Sequence, residues 1–179
     1  KGSSIESPKT FVEWGKGFYR LYVKPLKKGL FVCLLLVWMF LSVVVNFPHY
    51  LSYYNELAGR TGNGYKIAVD SNYDWGQDLK RLRDWIDVNV STNEIIAIDY
   101  FGGGNPEYYL GDRQVVWHSN MGSPADQGIK WFAVSLSFLQ EGRATPVKGF
   151  KKPPEEKFLW LEGMEPVARA GKSIFIYKF

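Results

Sequence analysis

The residues best suited to chemistry lie in one short polar stretch, DSNYDWGQDL, which runs from Asp70 to Leu79. Carboxylate and amide oxygens bind cations and orient small ligands, and a tryptophan ring offers an apolar face to them. Because the stretch follows a predicted strand, where α/β folds collect ligands, it is a candidate site for a sugar or a phosphate. The candidate ligand-binding residues are Asp70, Asn72, Asp74, Trp75 and Gln77.

A cation site in this stretch would have only part of a known pattern. Asp70, Asn72 and Asp74 have the D-x-N-x-D spacing that opens a calcium-binding loop. The complete EF-hand loop also needs glycine at its sixth position and glutamate at its twelfth, where this chain has tryptophan and arginine. An EF-hand is therefore excluded. The alternatives are a looser oxygen site, or a turn at Asp70 followed by a helix that Asp74 and Gln77 cap as a capping box.

Other catalytic and metal-binding chemistry has weaker support. The two histidines, His49 and His118, have no cysteine partner for a zinc site, because the single cysteine, Cys33, lies in an apolar run. Ser135 and Ser137 lie on a predicted strand and outside any nucleophile-elbow motif, which favours a packing role. The sequence therefore predicts no metal ligands and leaves the catalytic residues unknown.

The composition indicates one packed domain together with an apolar segment in a chain of 179 residues. Hydrophobic residues make up 46% of the chain and aromatic residues 17%, which excludes a disordered protein. The net charge of +4 comes from basic residues before the apolar segment and near positions 148–152. These residues do not form the basic face of a nucleic-acid-binding module, so nucleic acid is not an expected partner.

The run Leu30–Phe47 contains no charged residue and predicts a transmembrane helix, since a span needs about 20 apolar residues. Seven basic residues precede the run, whereas two follow it within twenty positions. The positive-inside rule therefore places the N-terminal side in the cytoplasm. We expect a cytoplasmic segment over residues 1–28, a span of the inner or plasma membrane over 29–48, and a periplasmic or extracellular domain over 49–179.

The residues before the span predict an amphipathic helix on the cytoplasmic membrane surface. Its aromatic rings would lie at headgroup level and its cations near anionic lipid, which makes membrane lipid an expected partner. A solvated loop that follows an earlier span is the alternative. The aromatic and basic residues concerned are Phe11, Trp14, Lys16, Phe18, Tyr19, Arg20, Tyr22 and Lys24.

The part after the span predicts a small α/β domain with a mixed, partly parallel sheet. The strands are expected at residues 65–69, 94–101, 115–118, 129–138 and 173–179. Helices are expected at residues 50–58, after the capping box, and after Asn105-Pro106, where asparagine caps and proline begins a helix. In the helix after the capping box, the apolar residues Leu79, Leu82, Trp85 and Ile86 fall on one face. The nearly continuous apolar residues of 94–101 indicate a strand that is buried on both faces and pairs in parallel with the first strand.

Four stretches of the chain resemble a known enzyme family. They are similar to the C-terminal region of bacterial family 39 glycosyltransferases of the GT-C class, relatives of the protein O-mannosyltransferases and of lipid-linked aminoarabinose transferases. The resemblance covers residues 47–179, and its most specific piece is DSNYDWGQDL. The other stretches are FPHYLSYYNELAGR, YFGGGNPEYYLG and PVARAGKSIFIYKF.

The resemblance implies a parent enzyme with many spans, which transfers a sugar from a polyprenyl-phosphate carrier to an extracytoplasmic acceptor. In that family the catalytic carboxylate lies on an early exported loop between N-terminal spans, and this sequence contains no such loop. No catalytic residue is therefore carried over, and the chain would be the non-catalytic last span and exported domain. The polyprenyl-phosphate-linked sugar would be a partner of the parent enzyme, and a divalent cation in that parent is left open.

Two other classes of function remain open from the residues alone. The chain could be a single-span module whose domain binds a cell-envelope glycan or a membrane protein, and the sequence upstream of Lys1 would separate this function from the transferase. A hydrolase has less support, because spacing alone does not place two carboxylates across a substrate. Its acid and base would be drawn from Asp70, Asp74, Asp78 and Asp99.

Overall fold

The computed structural model describes two units, which divide after Phe47. The first unit is helical, and the second is a mixed α/β domain. The described residues are 10–69, 73–146, 148–149, 151 and 153–179.

The first unit contains a helix of 36 residues, Phe11–Asn46, which is long and apolar enough to cross a membrane. Its α-helical parts are α1 (Phe11–Phe18) and α2 (Lys24–Asn46), joined by π-helical turns over Tyr19–Val23. The apolar side chains of α2 are exposed around its whole circumference, which is typical of a span rather than of a core helix. The helix ends at Asn46 because Phe47 precedes a proline and takes an extended conformation.

The predicted amphipathic segment before the span is helical in the structure. Phe11 stacks on Trp14, and Trp14 stacks on Phe18, with ring centroids 6.3 and 5.7 Å apart. Residues three and four positions apart share one face of a helix, so this spacing makes a continuous aromatic stripe. Such a stripe suits the boundary between lipid and water.

The second unit is built on a five-stranded sheet, and the predicted mixed, partly parallel sheet is confirmed. The strand order is β2-β1-β3-β5-β4, in which β1 pairs in parallel with β2 and β3, and β5 pairs antiparallel with β3 and β4. The strands are β1 (Ile96–Asp99), β2 (Gln114–Val116), β3 (Trp131–Ser135), β4 (Ala168–Ala170) and β5 (Ile174–Lys178).

Apolar side chains cover both faces of the sheet. The short helix α3 (Arg60–Asn63) precedes α4 (Leu79–Asn89), whose buried side chains pack with Ile96 and Ile98 on one face. Short α5 (Pro106–Leu110) adds Leu110 to the same cluster. On the other face, α6 (Leu136–Arg143) packs with Phe132 and Phe175. Of the strand predicted at residues 94–101, the part that forms β1, Ile96–Asp99, is buried on both faces as expected, whereas Ile95 is exposed.

Two local predictions around this core are also confirmed. The side chain of Asn105 accepts a hydrogen bond from the Glu107 N–H and caps α5, which begins at Pro106. The predicted apolar face of α4 is present, with Leu82 and Ile86 fully buried. In both places, the local residue pattern and the tertiary packing favour the same structure.

The predicted first strand at residues 65–69 is wrong. The chain there forms a turn of 3-10 helix, Gly64–Lys66, and its parallel pairing with the 94–101 strand is absent. The side chain of Tyr65 packs edge-on against Tyr73 and Phe175, so the segment lies on a face of the sheet and not in its plane. Five alternating residues are too few to distinguish these two placements.

Several predicted elements are shorter than expected. The strands predicted at residues 94–101, 115–118 and 173–179 are observed as Ile96–Asp99, Gln114–Val116 and Ile174–Lys178. Residues 50–58 form two separate 3-10 turns, Tyr50–Ser52 and Glu56–Ala58, instead of one helix. The predicted strand 129–138 ends at Ser135, where the chain turns into α6. The apolar residues continue across that boundary, so their pattern does not show where the strand stops.

Candidate functional site

The predicted ligand-binding stretch forms internal contacts. Asp70 and Asn72 lie outside the described residues. The side chains of Asp74 and Gln77 are hydrogen-bonded within the domain, and the side chain of Trp75 is 59% exposed. Of the candidates that the structure describes, only Trp75 therefore presents a large surface to solvent.

The predicted capping box is wrong, because Asp78 and not Asp74 occupies the N-cap of α4. Asp74 Oδ1 accepts a hydrogen bond of 3.0 Å from the Gly76 N–H, an Asx turn that holds the carboxylate in the loop before the helix. Gln77 Oε1 accepts from the Trp75 N–H at 2.7 Å, and Gln77 Nε2 donates to the Ser52 hydroxyl at 3.0 Å.

The buried carboxylate of Asp78 connects α4 to the β4–β5 turn through hydrogen bonds. Its Oδ2 accepts hydrogen bonds from the backbone N–H groups of Lys172 and Ser173, at 2.7 and 2.9 Å, and from the Ser173 hydroxyl at 3.1 Å. Its Oδ1 pairs with Arg81 at 2.7 Å. Gly171, at φ +60°, permits this approach, since a Cβ there would lie 2.1 Å from the Asp78 carboxyl carbon.

The stretch that contains Gly76 also contacts the end of β1 through Tyr100. The Tyr100 hydroxyl donates a 2.8 Å hydrogen bond to the Gly76 carbonyl, and Gly76 has a φ of +75°. A Cβ on Gly76 would lie 2.3 Å from that hydroxyl oxygen. The specific residues of this stretch therefore have an architectural role, in which they join β1, α4 and the β4–β5 turn.

We expect Asp74 to make stability depend on pH. Burial raises the pKa of the Asp74 carboxyl, and its Oδ2 has no hydrogen-bond partner within the described residues. A carboxyl whose pKa is raised by folding stabilises the folded state fully at pH values below the unfolded-state pKa of about 3.9. This stabilisation is lost as the pH rises through the folded-state pKa.

The variant Asp74→Asn cannot ionise, so its stability relative to wild type is expected to increase as the pH rises above the unfolded-state pKa of about 3.9. Urea unfolding of the full chain in detergent, followed by near-ultraviolet circular dichroism, measures this difference. Asp126→Asn, at an exposed position, is the control and should show no such trend. A pH-independent difference for Asp74→Asn would contradict the prediction.

The parallel strands bring together a second polar pair, Asp99 and His118. Asp99 ends β1, His118 follows β2, and Asp99 Oδ1 lies 3.1 Å from His118 Nδ1. The Asp99 side chain is 6% exposed and that of His118 is 61% exposed. A buried carboxylate behind an exposed imidazole orients the ring and selects which nitrogen carries the proton.

The pair opens onto a cavity of about 330 Å³. Phe138 and Glu141 of α6 form part of the wall, and Glu156 forms another part. No lysine or arginine lines the cavity in the part of the chain that the structure describes. Burial raises the pKa of Asp99, and the hydrogen bond from His118 opposes this rise. The cavity therefore offers hydrogen-bond acceptors, an imidazole and an aromatic ring, but no cation for a phosphate.

This cavity at Asp99 and His118, the strand-end cavity, lies where an α/β sheet is expected to bind ligands. The chain leaves β1 for β2 on one side and returns to β3 on the other, so the strand order reverses at the carboxyl ends of β1 and β3. A second cavity of about 610 Å³ includes Phe101, just beyond β1, and Ser137 at the start of α6. Glu141 lines both cavities.

Asp99 and His118 are separate candidates in the sequence, and their pairing was not predicted. Residues that follow two adjacent parallel strands meet at one edge of a sheet, and the register Ile98↔Val116 places these two side chains there. The order of the strands contains this information. The incorrect prediction of a strand at residues 65–69 assigned the 94–101 strand to a different neighbour. A correct prediction that β1 pairs with β2 would have placed Asp99 and His118 next to each other.

The other candidate residues have internal roles. Asp74 and Asp78 are fully buried, so neither faces a substrate as the acid or base of a hydrolase. The Ser135 hydroxyl accepts a 3.0 Å hydrogen bond from the Phe101 N–H, as expected for a packing residue. Within the described ranges, no three histidine, cysteine, aspartate or glutamate side chains converge into a metal site.

Comparisons with protein-family models, curated proteins and solved structures found no match. The function is therefore inferred from the chemistry of the strand-end cavity, from the apolar helix α2 and from the resemblance in the sequence. The cavity and the apolar helix lie in different units of the chain and can be tested separately.

Proposed function

We propose that the chain is the non-catalytic last span and exported domain of a family 39 type glycosyltransferase. The parent enzyme would move a sugar from a polyprenyl-phosphate carrier to an extracytoplasmic acceptor. In this proposal α2 anchors the domain with its N-terminal side in the cytoplasm, and the domain binds the hydroxyl-rich part of the donor or acceptor. The transfer chemistry belongs to residues outside this sequence.

The observation that carries the proposal is the Asp99–His118 pair at the mouth of the strand-end cavity. Ionised carboxylates only accept hydrogen bonds, and sugar hydroxyls donate them. Pockets for small molecules combine apolar walls with a few placed polar groups, and Phe138 supplies an aromatic wall here. A neutral, hydroxyl-rich ligand fits this lining better than a phosphate, which would meet Glu141 and Glu156.

The anchor and its orientation are supported by the distribution of charge. The span has an unbroken apolar surface, and basic residues are concentrated on its N-terminal side. Export of the domain would bring the cavity to the compartment in which lipid-linked sugars are used. The resemblance of residues 47–179 to family 39 enzymes connects the two features.

The test compares the parent enzyme, encoded by the complete gene, with its His118→Ala and Asp99→Asn variants. We expect the KM for the acceptor or donor to rise about tenfold or more, because a hydrogen bond to a charged group contributes about 1.5–3 kcal/mol. The value of kcat is expected to change little. The matched control is Asp126→Asn, at an exposed position outside the cavity.

Two results would contradict the proposal. Unchanged kinetics in both variants would exclude a binding role for the pair. A complete gene product without further spans would exclude the transferase and favour the single-span module that binds an envelope glycan or a membrane protein. The second result would leave sugar binding by the cavity open to direct titration.

A further inference from the structure

A separate cavity of about 200 Å³ lies at the start of the second unit. A water molecule occupies about 30 Å³, so the cavity has room for a phosphate group and its waters. Its wall includes none of the residues that line the cavity at Asp99. The lining residues are Pro48, His49, Leu51, Ser52, Gln77 and Arg81.

Two of the polar lining residues form a fixed wall. Gln77 donates to the Ser52 hydroxyl, and the Ser52 hydroxyl donates a 2.9 Å hydrogen bond to the Tyr73 carbonyl. Their hydrogen-bonding groups are therefore largely satisfied within the domain. Recognition of a ligand is left to the side chains of Arg81 and His49.

Arg81 can offer a fork of donors to a ligand. Its Nη1 is held by Asp78 at 2.7 Å, whereas its Nε and Nη2 donate to no side chain or carbonyl in the part of the chain that the structure describes. The arginine side chain is 37% exposed. The guanidinium of Arg81 is held by one buried carboxylate and its side chain lines the cavity. The planar fork of an arginine matches the geometry of phosphate oxygens.

The local charge also favours an anion. Burial and the charge of Arg81 lower the pKa of His49, and Lys172 is close enough to act in the same direction. The Asp78 carboxylate is the opposing charge, but it accepts three hydrogen bonds from the β4–β5 turn in addition to its pair with Arg81. Arg81 and Lys172 together exceed this one negative charge.

The chain itself limits the depth of the cavity in a bilayer. His49 is three residues beyond Asn46, where α2 ends, and three residues reach at most about 11 Å. The headgroup layer on one side of a bilayer is about 5–7 Å thick. If α2 crosses the membrane, His49 lies within or just outside the layer that contains the lipid phosphates. Exposed Tyr50 and Leu51 suit the same boundary.

We propose that the cavity formed by His49 and Arg81 binds the phosphate of a membrane lipid. Arg81 contacts the phosphate oxygens through Nε and Nη2, and His49 donates a further hydrogen bond. The site goes beyond the sugar-binding function proposed above and depends only on α2 lying in a membrane. A lipid phosphate and a free phosphate share this chemistry, so the test separates the two sources.

The two histidines of the chain allow both sites to be observed in one experiment. The full chain is labelled with ¹³C and ¹⁵N at histidine in maltoside micelles and titrated with farnesyl phosphate, farnesol or inorganic phosphate. We expect farnesyl phosphate to shift the His49 signals saturably and the other two compounds to leave them unchanged. The signals of His118, in the other cavity, should remain in place throughout.

Variants of Arg81 test the assignment. Arg81→Lys keeps a cation beside Asp78 but loses the fork, so the apparent Kd for farnesyl phosphate is expected to rise at least tenfold. Arg83→Gln, on the same helix and outside the cavity, is the matched control and should bind as wild type does. Unchanged His118 signals will show that each variant is folded.

Three results would overturn the proposal. The absence of a His49 shift with farnesyl phosphate would exclude the site. An equal shift with inorganic phosphate at the same concentration would exclude a lipid as the specific source. An unchanged Kd in Arg81→Lys would remove the arginine from the site. None of these results affects the sugar-binding role of Asp99 and His118, which a sugar titration reads from the His118 signals.

Discussion

Replacement of Asp78 by alanine is expected to lower the free energy of unfolding of the domain by about 3–5 kcal/mol. The change removes a fully buried carboxylate and leaves the N–H groups of Lys172 and Ser173 without their acceptor. It also leaves Arg81 without its ion-pair partner. Because domains are stable by about 5–15 kcal/mol in total, this variant should be close to unfolded at physiological temperature.

Urea unfolding of the full chain in detergent, observed through near-ultraviolet circular dichroism, measures this loss. Asp84→Ala is the matched control, because Asp84 lies on the same helix and pairs with Arg83 at an exposed position. The control should remain within about 0.5 kcal/mol of wild type. Equal unfolding midpoints for the two variants would show that the buried Asp78 carboxylate contributes no more to stability than a surface ion pair.

Two arginines at the centre of α2 are expected to abolish membrane insertion. Arginine at the middle of a span costs about 2.5–3.5 kcal/mol on insertion scales, so Leu36→Arg with Phe40→Arg costs about 5–7 kcal/mol. This cost offsets most of the favourable free energy of insertion that the apolar residues of α2 contribute. The wild-type chain should sediment with membranes and resist alkaline extraction, and the double variant should not.

The control and the orientation can be tested with the same protein. Val88→Arg adds an arginine at a position in the second unit that is 83% exposed, and it should leave insertion unchanged. After Cys33→Ser, a single cysteine at Lys16 or at Val88 reports sidedness to an impermeant maleimide. Labelling of Val88→Cys from outside, but not of Lys16→Cys, is the expected result. The reverse would contradict the proposed orientation.

The strands with long apolar runs could be predicted from the sequence. β5 is built from adjacent isoleucine, phenylalanine and tyrosine residues, and β1 contains two isoleucines and an alanine before Asp99. In both strands, these residues pack on both faces of the sheet. β4 could not be predicted, because its three residues Ala168–Ala170 are held by pairing with β5 and carry no pattern of their own. Its position is a tertiary property.

The candidate site was harder to predict than the fold. Asp74 and Gln77 lie in a polar stretch beside a tryptophan, and a structural junction has the same composition as a binding loop. Only the burial of Asp74 and its hydrogen bond to Gly76 distinguish the two. Conversely, Asp99 and His118 are isolated in the sequence, and they become neighbours because β1 and β2 are parallel.

The place of β5 in the sheet has a consequence for biosynthesis. This strand comes after all the others in chain order, yet it lies between β3 and β4 and pairs with both. Until residues 174–178 have emerged, β3 keeps an open edge that can pair with other chains. If the domain is exported as proposed, it completes its sheet only after translocation has passed this point. A nascent chain stalled before β5 would therefore be a substrate for chaperones and proteases outside the cytoplasm.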